Sequence, residues 1–308
     1  MFEIIKADTK FIFTKYFGMT AVLSTIIVAI SLYGLFTKMS YGVDFRGGAE
    51  VQVKFMEKIS LEDVRKNMKA DGFSEVTAIS IGEPQENEFL LKVPGDESNL
   101  NSVTEKVNET LKSEYGDKID VRKIDIVGPK AGAELRLSGF QAMLWALIAI
   151  MVYVGLRFDF KYSPGAIVAL FHDVSIILGV FAFTGTEFTL QTVAALLAVI
   201  GYSVNDTVIV YDRVREHEQK FPNRDIKEHI NEAINETLSR TFLTSGTTLF
   251  VSMTMLFMGG LAIRDFFLAI TLGVFVGTYS SIFVAAPVTL IFDRFNKNSA
   301  GDKVGANA

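Results

Sequence analysis

Asp206 is a carboxylate inside an apolar stretch, Ala194 to Tyr211, that is typical of a membrane-spanning helix. Insertion scales place the cost of a carboxylate near the middle of such a helix at roughly 3 kcal/mol. By default such a residue faces protein or water, pairs with another group, and marks an ion or proton pathway. Ser203 and Asn205, on the same stretch, are predicted to line that pathway.

Arg240, beside the fifth apolar stretch, is the predicted partner of Asp206. A guanidinium favours the charged form of a neighbouring carboxylate and keeps its own proton, so Arg240 would act as a counter-ion and switch. Hydroxyl groups at offsets of four, seven and eight residues share its helix face, namely those of Thr244, Thr247 and Thr248. We expect this stripe to hold water. The alternative is that Arg240 snorkels at the membrane interface.

Asp173, in the third apolar stretch, is a further predicted member of the relay. Gly165 and Ala169 precede it at intervals of four residues, and such a row of small residues lets two helices approach closely. The alternative for Asp173 is a static hydrogen-bonding role that fixes helix packing. His172 is interpreted as a packing or hydrogen-bonding neighbour. Three histidines and no cysteine offer no ligand spacing, so neither a metal nor a cofactor is predicted.

The composition identifies the elements that must position these groups. The 308 residues are 49% hydrophobic and include 26 Phe, and the mean hydropathy is +0.31, which is too apolar for a soluble domain. A bilayer core about 30 Å thick needs about 20 apolar residues of helix. Six stretches are predicted to span it, the fifth of them marginal: Phe17 to Phe36, Leu137 to Leu156, Ser163 to Phe183, Phe188 to Tyr211, Thr241 to Met258 and Phe266 to Phe292.

The distribution of Lys and Arg predicts the orientation of these helices in the membrane. Basic residues concentrate in both tails and in the links after the second and fourth stretches, whereas the other short links carry almost none. Both tails, 1–16 and 293–308, are therefore predicted to be cytoplasmic. The first helix, 17–37, leads into an extracytoplasmic domain, 38–136, and the other five helices lie within 137–292. The charges lie outside the spans, and they give no support for nucleic-acid binding.

The stretch 38–136 has the pattern of a soluble α+β domain. Glu50 to Phe55 alternates apolar and polar residues like a strand, and Ser60 to Asp63 is typical of a helix N-terminus. Two further strands, a second helix and a closing strand at Ile119 to Val127 follow. The order β-α-β-β-α-β predicts a ferredoxin-like domain. The predicted fold class is thus an α-helical polytopic membrane protein with one α+β domain between helices 1 and 2.

An amphipathic segment at about 212–238 lies between the fourth and fifth stretches. Asp225 to Glu228 resembles a capping box, and the apolar residues after it recur at helical spacing: Ile226, Ile230, Ala233, Ile234 and Leu238. We predict a cytoplasmic interfacial helix that runs into the fifth span. It either tethers the helix pair to the membrane surface or docks a partner.

Two motifs in this sequence resemble a known family when they are taken together. Tyr41 to Gly48 resembles the signature of the SecF family of bacterial protein translocase subunits, and Gly201 to Glu216 resembles that family's fourth-span motif. The structural signature residues are Gly42, Asp44, Phe45, Gly47 and Gly48. Val43 stands where the family usually has Ile. We interpret this loop as a glycine-rich turn from helix to strand, in preference to a substrate contact.

The resemblance implies a membrane transport subunit that is not an enzyme. Its family pairs with SecD, a homologous six-span partner of the resistance-nodulation-division superfamily, in the bacterial inner membrane. The pair uses the proton motive force to move or release polypeptides after SecYEG and SecA have translocated them, and YajC is a further partner. Matching motif to motif, the relay falls on Asp206, Arg240 and Asp173. The alternatives are a proton-coupled exporter of small molecules or lipids, and a scaffold that transports nothing.

Overall fold

The computed structural model describes residues 10–70, 73, 76–81, 86–95, 100–158 and 160–294. Most of the two predicted tails, namely residues 1–9 and 295–308, lies outside these ranges. The elements in chain order are α1 (Phe17–Lys38), α2 (Val43–Arg46), β1 (Gly48–Phe55), α3 (Leu61–Ala70), β2 (Thr77–Ile81), β3 (Glu88–Pro94), α4 (Leu100–Tyr115), β4 (Ile119–Val127), α5 (Pro129–Arg157), α6 (Ser163–Thr184), α7 (Leu190–Lys220), α8 (Ile226–Met258) and α9 (Leu261–Ser280).

The six predicted membrane helices are confirmed. In the described part of the chain, α1, α5, α6, α7, α8 and the helix that begins as α9 are long and apolar enough to cross a bilayer. The last of these helices passes through a π-helical segment, Ser281–Ala285, and continues to Arg294. The third of them, α6, is the most buried, so it forms the centre of the bundle.

The α+β domain contains one antiparallel sheet with the strand order β2-β3-β1-β4. Its elements follow one another in the predicted β-α-β-β-α-β order, and β3 lies between β1 and β2. Alternate residues of the central strand β1, Val51, Val53 and Phe55, point into a core that also contains Val107 and Leu111 of α4. The period-two pattern found in the sequence therefore marks the buried face of this sheet.

The bundle has two ends, which we name by what is attached to them. The α+β domain joins α1 and α5 at the domain end, and α7 joins α8 through residues 221–225 at the hairpin end. Asp225 begins α8 as its N-cap, since its carboxylate accepts a hydrogen bond of 3.1 Å from the backbone N–H of Lys227.

The amphipathic segment before the fifth span belongs to this helical hairpin. Its apolar residues Ile226, Ile230 and Ile234 are buried in a cluster with Val210 and Val214 of α7. The face that was predicted to lie on the membrane surface is therefore covered by protein. The physical reason is that α7 continues as a helix to Lys220, and so offers a long apolar stripe against which the start of α8 packs.

Candidate functional site

Asp206 is buried inside the bundle and only loosely held. Its residue surface is 1% exposed, and it lies on α7, which packs against both α8 and α9. The Ser245 hydroxyl on α8 donates to Oδ2 of Asp206 at 3.4 Å, which is long for such a bond. The other carboxylate oxygen, Oδ1, is buried and has no hydrogen-bond partner among the described residues. One oxygen of Asp206 is therefore available to exchange a proton.

A small cluster of hydroxyl groups surrounds this carboxylate. Ser245 also forms a hydrogen bond of 2.7 Å with the Thr278 hydroxyl on α9. From α7, the Tyr202 hydroxyl donates to Ser245 at 3.3 Å. The cluster thus joins three helices through one serine, and a rotation of any of these helices changes what Asp206 contacts.

Asp173 on α6 is held much more completely. It is fully buried, and its Oδ1 lies 2.9 Å from Nδ1 of His172. Its Oδ2 accepts hydrogen bonds from the Ser203 hydroxyl at 2.6 Å and from the Ser280 hydroxyl at 2.8 Å. Both oxygens have partners, and those partners come from α6, α7 and α9. Asp173 therefore links the centre of the bundle together.

The two carboxylates belong to neighbouring parts of one polar region. Ser203, which binds Asp173, lies three residues before Asp206 on α7, and residues at this spacing are neighbours on a helix face. Ser280, the second hydroxyl on Asp173, lies two residues after Thr278 on α9 and directly before the π-helical segment. Such segments are frequent at functional sites. Within the described ranges, no group of three His, Asp or Glu side chains could hold a metal ion.

Arg240 does not contact Asp206 in this structure. Its side chain is exposed. Among the described residues, no ion pair within 4.0 Å joins Arg240 to Asp206, so the predicted pairing is not a direct contact in this structure. Arg240 lies five residues before Ser245 on α8, which is about 7.5 Å along the helix axis.

The predicted threonine stripe is not assembled around Asp206. Each hydroxyl donates to a carbonyl oxygen of its own helix: Thr244 to Arg240 at 3.0 Å, Thr247 to Leu243 at 3.0 Å and Thr248 to Thr244 at 2.9 Å. Asn205 is exposed on α7. Of the two predicted lining residues on α7, only Ser203 enters the buried region, where it binds Asp173.

The hydroxyl residues that complete the site, above all Ser245, were not predicted from the sequence. A signal for it exists, because Thr241, Ser245 and Ser252 recur at offsets of four and seven residues, and all three are buried. Thr244, the residue directly before Ser245, is rotated from it by about 100° around the axis of the same helix. Spacing alone could not show which of these two faces meets α7.

The five signature residues lie at the domain end, away from the carboxylates. They form the short helix α2 and the start of β1, next to the first residue of α7. Asp206 is sixteen residues further along α7, which corresponds to about 24 Å.

Comparison with known proteins identifies the family of the chain. The family described as "Protein export membrane protein SecD/SecF, C-terminal" matches residues 106–294. A second description, "SecD/SecF GG Motif", matches residues 34–55, which include the whole of the signature.

Relatives and solved structures agree with these matches. A protein translocase subunit SecF of Vibrio alginolyticus is 40% identical over 291 residues, or 94% of this chain and 92% of the relative. One of Desulfurispirillum indicum is 43% identical over 270 residues, or 85% of each chain.

A crystal structure of SecDF, a translocon-associated membrane protein, from Thermus thermophilus superposes with a TM-score of 0.80 and 34% identity, covering 94% of this chain and 39% of the solved chain. SecDF in a super-membrane-facing form gives a TM-score of 0.73 at 34% identity, covering 98% and 41%. This chain thus spans about two fifths of each solved SecDF chain. Since the first family match extends over more than half of the chain, and the relatives match over most of their length, the chain belongs to the SecD/SecF family of protein export membrane proteins.

Proposed function

We propose that this chain is a membrane subunit of the Sec protein-export machinery, in which proton movement through the bundle drives the late translocation and release of polypeptides. Asp206 is the group that takes up and releases the proton. Arg240 is its counter-ion, and Asp173 is a second carboxylate of the relay. Relatives named as translocase subunits and solved SecDF structures support the export role, while the proton step is argued from the site.

One observation carries the proton step, namely the oxygen of Asp206 that has no partner. A carboxylate kept only for packing would be expected to have both oxygens satisfied, because a buried polar atom without a partner costs about 1–3 kcal/mol. Asp206 instead has Oδ1 free and a single long bond to Oδ2. This arrangement suits a group that changes partners when it changes charge.

The exposed position of Arg240 is compatible with a switch. When Asp206 carries a proton, it has no charge to attract the guanidinium. When the proton leaves, the buried carboxylate attracts the guanidinium of Arg240, and the two helices shift against each other. Each elementary charge that crosses 100 mV supplies about 2.3 kcal/mol, so one or two protons can bias such a shift by several kcal/mol.

Residues exposed on the side of the bundle support the proposal of a homologous, membrane-spanning partner. Asn205 and Gly201 on α7 and Arg240 on α8 are exposed, and polar side chains facing lipid are costly. Small residues such as Gly201 allow close helix contact. A homologous six-span partner, SecD, would cover these residues, and the greater length of the solved SecDF chains agrees with this. SecYEG, SecA and YajC are proposed further partners, and both termini are proposed to be cytoplasmic.

The deciding experiment replaces the carboxylate and leaves the shape unchanged. We would reconstitute Asp206→Asn with its partner and the translocation channel in vesicles, and measure the release of a translocating polypeptide with and without a proton gradient. Asp225→Asn is a matched control, because this exposed N-cap residue keeps its capping ability as Asn. We expect gradient-dependent release to fall at least tenfold in Asp206→Asn and to stay unchanged in the control.

Three outcomes separate the alternatives. Wild-type, gradient-sensitive release by Asp206→Asn at normal abundance would show that Asp206 is not the proton carrier, and that the chain acts as a scaffold. Polypeptide release that depends on a sodium gradient alone would show that the coupling ion is sodium and not the proton. Normal polypeptide release, combined with loss of small-molecule or lipid efflux from the vesicles, would indicate an exporter.

A further inference from the structure

The signature residue Asp44 binds the first residue of the helix that carries Asp206. The backbone N–H of Leu190 donates to Oδ2 of Asp44 at 3.0 Å. Leu190 begins α7, and a carboxylate at this position also interacts favourably with the positive end of the helix dipole. Asp44 is therefore attached to the domain end of α7.

The backbone around Asp44 is joined to the loop that leads into α7. The Gly42 N–H donates to the Phe188 carbonyl at 2.9 Å, and the Phe188 N–H donates to the Ser40 carbonyl at 2.8 Å. The rings of Phe45 and Phe188 lie 5.3 Å apart. These contacts hold the start of α7 and the signature segment together as one unit.

The other side of the same segment is built into the α+β domain. Gly48 begins β1 and pairs with Pro94 of β3 and Val127 of β4. A Cβ on Gly48 would lie 2.3 Å from the Val93 carbonyl oxygen, and one on Gly47 would lie 2.7 Å from the Pro129 backbone nitrogen. The chain thus enters and leaves the domain at one place, where only glycine fits.

The domain lies beside an open cleft at the domain end of the bundle. The cleft has a volume of about 400 Å³, and its lining includes Tyr41 and Arg46 of the signature segment together with Lys69 and Lys92 of the domain. One side-chain bond, from the Thr77 hydroxyl to Glu187 at 3.1 Å, crosses from β2 to the loop before α7. The domain also packs against the bundle through β2 and α9, so a change in its angle to the bundle would widen or narrow this cleft.

We infer that the segment 41–48 is a coupling joint, in which Asp44 transmits movement of α7 to the α+β domain. The inference rests on the proposed function, because Asp206 supplies the movement. The described α7 is an unbroken helix from Leu190 to Lys220, so a shift near Asp206 reaches Leu190 about 24 Å away. There it passes through Asp44 into α2 and β1. Asp44 is a positioning residue in this joint.

The test measures whether a change at position 206 still moves the domain. The sequence has no cysteine, so spin labels can be placed on Glu109→Cys in α4 and Met258→Cys in α8, both of which are exposed. Distances between the labels are compared in the full reconstituted complex with and without Asp206→Asn. With Asp44 present, we expect Asp206→Asn to shift the distance distribution. In Asp44→Ala we expect less than half of that shift.

Two further variants separate coupling from folding. Asp44→Asn keeps an acceptor oxygen for the Leu190 N–H and should retain the shift. Leu190→Pro removes that N–H at the first helical position, where proline is well tolerated, and Thr189 before it already has the extended backbone that proline requires. Leu190→Pro should therefore reduce the distance shift as Asp44→Ala does. It replaces Asp44→Ala in the test if that variant fails to assemble into the complex.

Asp63→Ala, an exposed carboxylate on α3 away from the joint, is the matched control and should behave as wild type. A full shift in both Asp44→Ala and Leu190→Pro would overturn the coupling inference and leave the proposed function standing. The absence of any shift with Asp44 intact would contradict the proton-driven movement and the joint together.

Discussion

At the residue scale, the two buried carboxylates differ in how they are satisfied. Asp173 has a partner on each oxygen, whereas Asp206 has one long bond and one oxygen without a partner. The same residue type is thus fully hydrogen-bonded at one position and only weakly held at the other. Ser203 connects them, because it binds Asp173 and lies one turn from Asp206.

Arg240→Lys is predicted to impair gradient-dependent release. A guanidinium presents a planar fork of donors that matches a carboxylate, and a lysine ammonium is a point charge that does not reproduce it. The release assay in vesicles measures the effect, and we expect a loss of about tenfold. Arg264→Lys, at an exposed position of α9, is the control. If Arg240→Lys releases polypeptide like wild type, Arg240 is an interfacial residue and not the counter-ion.

At the element scale, the outer domain and the bundle meet through a turn with unusual backbone geometry. Gly47 and Gly48 have φ angles of +88° and +150°, which residues with a Cβ rarely adopt. Close packing against Pro129 and Val93 adds a second reason for glycine at these positions. The turn that the sequence predicted is therefore also the place where the sheet, α5 and α7 converge.

Gly48→Ala is predicted to loosen the sheet at this junction. The new methyl group would meet the Val93 carbonyl oxygen, and the backbone strain alone costs about 1–3 kcal/mol. Hydrogen exchange of the β1 and β3 amides in the full-length chain should accelerate by about tenfold for each 1.4 kcal/mol lost.

Gly128→Ala is the matched control for that experiment, because Gly128 has φ of −67° and a Cβ there would meet nothing within 4 Å. Equal exchange rates in the two variants would show that Gly48 is not constrained.

At the scale of the whole molecule, the bundle places polar groups in two different environments. The carboxylates point inward between α6, α7, α8 and α9, and Asn205 and Arg240 remain on the outside. This chain also covers only 39% of a solved SecDF chain. Exposed polar residues on the side of the bundle are what a subunit of a larger membrane complex should present.

Gly201→Leu is predicted to weaken the association with the six-span partner without unfolding the chain. A Cβ there would meet nothing within 4 Å in this chain, yet a leucine side chain would intrude on a closely packed partner helix at a cost of about 1–3 kcal/mol. Copurification of the partner should fall at least several-fold.

Gly18→Leu on α1 provides the control for this variant, since Gly18 is also exposed and its added Cβ also meets nothing. If both variants retain the partner equally, the Gly201 face is covered by lipid and not by protein.

The sequence alone was sufficient to predict the six spans and the order of elements in the α+β domain, and it singled out Asp206 as a candidate site. Each depends on local information: the length of apolar runs, the periods of two and 3.6 residues, and the cost of a charge in a membrane. The signature segment was likewise found from its own residues, although its contacts were not.

Only the tertiary structure decided which groups meet. Asp206 accepts a hydrogen bond from Ser245 of α8, Asp173 accepts hydrogen bonds from hydroxyls of α7 and α9, and Asp44 binds the first residue of α7 across 146 positions of sequence. Periodicity defines the faces of a helix, but the rotation and register of packed helices determine which face meets which partner. Those quantities depend on contacts between distant segments, and no local pattern encodes them.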